Sequence, residues 1–248
     1  TASSGRLPSS SASAISWLGY GNLQFARANK GASDISRQGA FGIGPLVLHL
    51  HEELNDRVTV MMEVALENSA DESAELDIER YQITYRASDL FGVTAGRMHN
   101  VLGYWNIAYH HGTFLQTTVE RPRFLDFEDD GGALPIHIVG ASADGKLELA
   151  PGILQYYVVV GNGPRIANFG AGAGTLRVGN AADDRRSSRN LSFNLTFRPE
   201  ALEGTGFGVF GNSNRVNAYD SVMPTLQVGL LKQEIYGGHF YYIAKRPE

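Results

Sequence analysis

The sequence predicts an all-β protein, an antiparallel up-and-down transmembrane β-barrel of about ten to twelve strands. Three observations carry that prediction. Apolar and polar residues alternate in stretch after stretch, so successive side chains meet different surroundings. The joints between these stretches include both short turns and long irregular segments, the organisation of an up-and-down barrel in an outer membrane. Helical periodicity is poor, whereas 29 glycines and 10% aromatics suit strands.

The 248 residues fit one domain, and 43% hydrophobic content requires a large apolar surface to leave water. There is no run of about 18 apolar residues, so no transmembrane helix is expected. A spanning strand needs about ten residues, with every second one apolar. A net charge of −5 is mild and argues against nucleic acid as a partner. The chain has no cysteine, which removes disulfides, thiolate metal sites and cysteine nucleophiles.

Residues 1–14, TASSGRLPSSSASA, are Ser-rich with no apolar signal core. They are expected to be disordered, at the start of a processed or truncated chain. The barrel domain is expected over 15–248. Its first strand, 15–29, holds WLGYGNLQFA, where Leu23 and Phe25 oppose Tyr20, Asn22 and Gln24. In the second, 40–53, Leu46, Leu48 and Leu50 share a face opposite Val47, His49, His51 and Glu53. The third, 57–69, has the clearest pattern: Val58, Val60, Met62, Val64 and Leu66 form one oily row. In the fourth, 74–88, Tyr81, Ile83 and Tyr85 oppose Arg80, Gln82, Thr84 and Arg86. Further strands are expected at 90–98, 135–143 and 146–160. In the strand at 189–199, Leu191, Phe193, Leu195 and Phe197 oppose Ser192, Asn194, Thr196 and Arg198. The last three are placed at 205–211, 224–235 and 237–246. Short joints are read at EELNDR, ASDLFG, SADGK and RPEALEG. Long irregular segments are read at ANKGASDISRQG, 99–133, 161–189 and 211–222.

Within this pattern, a strand enters Gly96-Arg97 and a Gly-Tyr-Trp stretch follows at 103–105. A polar loop carries Arg121-Pro122, then Gly131-Gly132, and Pro135 opens a strand with His137 and Gly140. Together with YYVVVGNGP at 156–164, this region resembles bacterial porin-like outer-membrane proteins of the phosphate-selective porin type and their relatives. The resemblance covers roughly 90–165. It implies a bacterial outer-membrane barrel for passive diffusion of small hydrophilic solutes or ions, often a homo-oligomer, with no cofactor and no enzymatic step. Such barrels normally end in Phe, whereas this chain closes on Glu248 and is short for a sixteen-strand barrel. Either a smaller barrel or the N-terminal portion of a larger one is expected.

The resemblance also implies that the loop at about 99–134 folds into the lumen and narrows it. The expected constriction residues are Tyr104, Trp105, His110, His111, Arg121, Arg123, Asp126, Glu128, Asp129 and Asp130. Arginines facing acids across a narrow passage would screen permeants by charge. The competing reading is a solvated outer loop.

Alternation places Arg57, Glu63, Arg80, Arg86, Arg97 and Arg198 on or near the lumen wall. Arginine on inward faces favours oxyanions, while Glu63 and its acidic neighbours on the wall favour salt bridging instead. Val58, Val60, Val64, Leu66, Leu191, Phe193, Leu195 and Phe197 are expected to face lipid. His110 and His111 are adjacent and point to opposite faces of a strand, which suits a shared metal poorly. His49 and His51 share a face with Glu53 and are the weak metal candidates; the competing reading is a polar wall. Gly-x-Ser-x-Gly is absent from the sequence, and GAGAG at 170–174 reads as a flexible loop.

Two other roles remain open from sequence. One is an outer-membrane barrel that holds a partner protein. The other is a soluble β-sandwich or lipocalin-like binding module.

Overall fold

The computed structural model describes residues 15–27, 39–68, 74–109, 123–125, 134–162, 165–169, 175–177, 189–220, 223 and 226–244. It is an all-β structure in one sheet. The strands are β1 (Ser16–Ala26), β2 (Ala40–Asn55), β3 (Val58–Asn68), β4 (Ala74–Ser88), β5 (Phe91–His99), β6 (His137–Leu149) and β7 (Gly152–Asn162). They continue as β8 (Arg165–Phe169), β9 (Thr175–Arg177), β10 (Arg189–Pro199), β11 (Thr205–Asp220) and β12 (Gln227–Tyr242). A short helix, α1 (Gly103–Ala108), and a 3-10 turn at Arg123–Leu125 lie between β5 and β6.

Ten strands form an antiparallel meander, each paired with the next from β1 to β7 and then through β10, β11 and β12. The β8–β9 hairpin lies beyond the end of β10, where β8 runs parallel to β11 through Asn217↔Arg165. Among the described residues, β1 and β12 do not pair with each other. Two-residue turns at Asp56-Arg57, Asp89-Leu90 and Ala150-Pro151, with Glu200–Gly204, gather at one end of the sheet. The segment between β5 and β6 leaves the opposite end. At the first turn the Asn55 side-chain oxygen accepts the N–H groups of Arg57 and Val58 at 3.0 and 3.1 Å, closing the hairpin locally.

Along β10 the sheet is polar on its enclosed face and apolar on its outer one; elsewhere the enclosed face also holds apolar side chains such as Val47, Ala65, Val159 and Val216. In β10, Leu191 and Phe193 are 51% and 37% exposed, while Ser192 and Asn194, which alternate with them, are 0% exposed. Elsewhere on the outer face, Leu46, Leu48, Leu66, Tyr81, Ile83, Val160, Val209, Tyr236 and Phe240 are exposed. A protein folded in water arranges the two faces the other way, because apolar burial drives its folding.

Four expected boundaries move. SADGK is not a turn: β6 runs through it, with Asp144 paired to Tyr157, and the chain reverses at Ala150-Pro151. Proline lacks the ladder N–H and so marks the strand break. The expected break at position 236 is absent: β12 runs on through Tyr236 and Gly237, where the glycine provides room for the Phe210 ring. The expected loop at 211–222 is strand as far as Asp220. Asn212 and Asn214 are buried on its enclosed side, so this polar stretch is strand and not loop. The long segment at 161–189 contains β8 and β9.

Candidate functional site

The enclosed face of the sheet is the candidate site, and it has two different walls. On β2–β6 the buried side chains include charged groups beside the apolar Val47, Ala65, Met98 and Ile138. Glu63, fully buried on β3, accepts Arg80 Nε from β4 and lies 3.4 Å from His49 Nε2 on β2. The Tyr20 ring of β1 stacks on His49 with centroids 5.7 Å apart. β4 carries a bulge here: Glu63 pairs with Arg80 and Val64 with Ile78, leaving Glu79 as the extra residue. Glu79 is also buried. It lies 3.1 Å from His137 Nε2 and 3.9 Å from Arg97, whose Nε donates to the Glu79 carbonyl at 2.8 Å. Arg86 and Asp144 form a further pair at 2.8 Å. A buried carboxylate is stable only with such partners, because removing it from water is otherwise very unfavourable.

On β10 and β11 the wall is built from amides and hydroxyls. Ser192 donates to Asn190 at 2.8 Å, Asn212 to Ser192 at 2.8 Å, and Thr196 to Asn194 at 2.9 Å. The Asn194 amide donates to the carbonyl of Val101, beyond the end of β5, at 2.8 Å.

Val101 belongs to a segment folded inward. Gly103 has φ +76°, which favours glycine, and its backbone lies against the Phe210 ring. This turn starts α1. Asn106, buried in α1, donates to the carbonyls of Asn100 and Ile136, tying the segment's two arms together. Leu102, Leu125, Leu134 and Ile136 then form an apolar cluster against Trp105, Phe210 and Ile235. Tyr104 stacks on Tyr241 of β12 with centroids 3.9 Å apart. Burial, then the neighbouring Tyr109 and Tyr241 phenols, push the Tyr104 hydroxyl above its ordinary pKa.

Of the expected constriction residues, Tyr104 and Trp105 lie on this inward segment. Arg123 opens the 3-10 turn. His110, His111, Arg121, Asp126, Glu128, Asp129 and Asp130 lie outside the described residues, as does GAGAG. Of the expected wall residues, Glu63, Arg80, Arg86 and Arg97 take part in the ion pairs above. Arg198 shares the face of Asn194 and Thr196. Arg57 differs: it occupies the exposed two-residue turn after β2, because the strand ends at Asn55. Leu66, Leu191, Phe193 and Leu195 are exposed on the outer face, with Val58, Val60, Val64 and Phe197 half-buried beside them. His49 faces Glu63, whereas His51 lies 3.9 Å from Glu53, so the two imidazoles have separate carboxylates. Among the described residues, no group of three or more His, Asp or Glu side chains is placed to hold a metal.

Sequence reading did not identify His137 as a partner of Glu79, Asp144 as a partner of Arg86, or Asn194 as the bridge to Val101. Inward parity alone marks Asn194. The other two need the strand register, which brings β4, β5 and β6 side by side.

No family model matches the chain, and no curated protein does. Among solved structures, the chain matches the loop-L8 deletion mutant of OmpT, an outer membrane protein of Vibrio cholerae. The TM-score is 0.38 at 9% identity, over 95% of this chain and 78% of that one. At that likeness neither residue roles nor activity carry over.

Proposed function

We propose that the protein is a bacterial outer-membrane β-barrel acting as a porin-like channel for passive diffusion of small hydrophilic solutes or ions. One observation carries the reading: the sheet exposes Leu191, Phe193 and Leu195 outward while enclosing Ser192, Asn194 and Thr196, which alternate with them. Lipid suits the first row, and a watered bore suits the second. The segment around α1 narrows the bore, and the Asn194–Val101 bond holds it to the wall. In this reading the wall carboxylates fix shape and field and carry out no bond-breaking step.

Purified protein reconstituted in planar bilayers is expected to give stepwise conductance. Protein that inserts fully and stays silent overturns the channel.

A second reading has its own observation. β1 and β12 make no ladder with each other among the described residues, and unpaired backbone groups are very unfavourable in lipid. Those edges would suit a further chain, which fits a barrel that holds a partner. A second protein co-purifying in stoichiometric amount supports this; a disulfide formed within one chain between cysteines placed on β1 and β12 opposes it.

A further inference from the structure

At the short-turn end the bore opens through a cavity of about 820 Å3. Strand register sets out its wall. Ile153 of β7 pairs with Glu148 of β6 on one side and with Arg198 of β10 on the other. One strand further on, Gly206 of β11 pairs with Tyr241 of β12. A Cβ on Gly206 would run into the Tyr241 ring, so the ring lies across the gap that the glycine leaves. The row around the mouth therefore reads carboxylate, apolar floor, guanidinium, aromatic ring. All except Gly206 line the cavity.

The two charges are not joined. Glu148 and Arg198 flank Ile153 two strand spacings apart, about 10 Å between backbones. Neither forms an ion pair with another described residue, and Arg198 Nε is buried without a hydrogen-bond partner. Arg198 nevertheless lines the cavity, and a guanidinium without an ion-pair partner binds an oxyanion through charge-assisted hydrogen bonds. Yet the exposed Glu200 and Glu203 also line the cavity, so a plain anion meets repulsion. The carboxylates outnumber Arg198, so an ammonium is drawn in, and a carboxylate entering beside it is held by Arg198. A solute bearing both charges satisfies both sides.

We propose that this mouth is a binding subsite for a zwitterionic α-amino acid. Its carboxylate sits on Arg198, its ammonium on Glu148, and its side chain against Ile153 and Tyr241. The proposal rests on the reading of the bore as a solute passage and names the class of solute.

The test measures equilibrium binding to the full chain in detergent, without reference to conductance. The probes are L-phenylalanine, phenylpropionate (no ammonium) and phenethylamine (no carboxylate). Phenylalanine is expected to bind at least about tenfold more tightly than either analogue. Arg198→Gln should reduce phenylalanine to the level of phenethylamine, with partial recovery in Arg198→Lys. Glu148→Gln should reduce it to the level of phenylpropionate. Unchanged strand content by circular dichroism identifies folded variants; if Arg198→Gln fails to fold, the three probes and Glu148→Gln still decide. Equal binding of the three probes, undiminished binding in both Gln variants, or no saturable binding overturns the subsite. Conductance without phenylalanine binding leaves the channel and removes the subsite. Selective binding without conductance keeps the subsite and removes the channel.

Discussion

Across β2–β6 the buried charged side chains hold one another; on β10 and β11, from Asn190 to Thr196 and at Asn212 and Asn214, the buried polar side chains are neutral, and one of them reaches over to the segment that carries α1. The difference follows from chemistry. A carboxylate accepts and cannot donate, so each buried acid needs a cationic neighbour within its own wall. An asparagine both donates and accepts. Asn194 accepts from Thr196 on its own strand and still donates to Val101. The charged wall is therefore closed on itself, and the amide wall is where an inserted segment can attach.

The largest effect that would break this contrast is at Glu63. Glu63→Gln leaves Arg80 and His49 facing each other with no intervening charge. It should lower unfolding stability in detergent by about 3 kcal/mol or more, measured by denaturant titration. A loss under about 1 kcal/mol would mean that the wall does not depend on its ion pairs.

The next is Asn194→Ala. It removes the bridge to Val101 and leaves that carbonyl unmatched, a loss of about 1–2 kcal/mol. Because the bond joins wall to insert, single-channel current should become larger or noisier while the charged wall stays intact. Unaltered conductance would show that the insert does not depend on the amide wall.

The smallest effect is at Arg57. Its exposed side chain lies in a turn, and Arg86 N–H bonds to its backbone carbonyl, which any residue supplies. Arg57→Ala should shift stability by no more than about 0.5 kcal/mol. A loss like that of Glu63→Gln would place Arg57 in the wall after all.

Alternation alone made much of this fold legible. The rows Val58 to Leu66 and Leu191 to Phe197 read directly as two-faced strands, because one residue step exchanges faces. What failed were inferences borrowed from proteins folded in water. There, Asn212, Ser213 and Asn214 would suggest a loop; here they continue β11, with Asn212 and Asn214 buried on its enclosed side. Asp144-Gly145 resembles a turn but pairs across to Tyr157 and Tyr156. Of the site, individual wall residues such as Glu63 and Arg80 were legible by parity. Their partnerships were not, since Glu79 meets His137 across 58 positions of sequence and only the register brings them together.

The bulge in β4 has one more consequence. Leu76 and Ile78 point outward from even positions, while Tyr81, Ile83 and Tyr85 point outward from odd ones. The strand changes phase in its middle, and the extra residue absorbs that half-step. A chain lacking Glu79 would keep every greasy side chain of β4 on the correct side. It would lose the acid that Arg97 and His137 share, so the irregularity serves as a holder for one negative charge that a regular strand would have no place to seat.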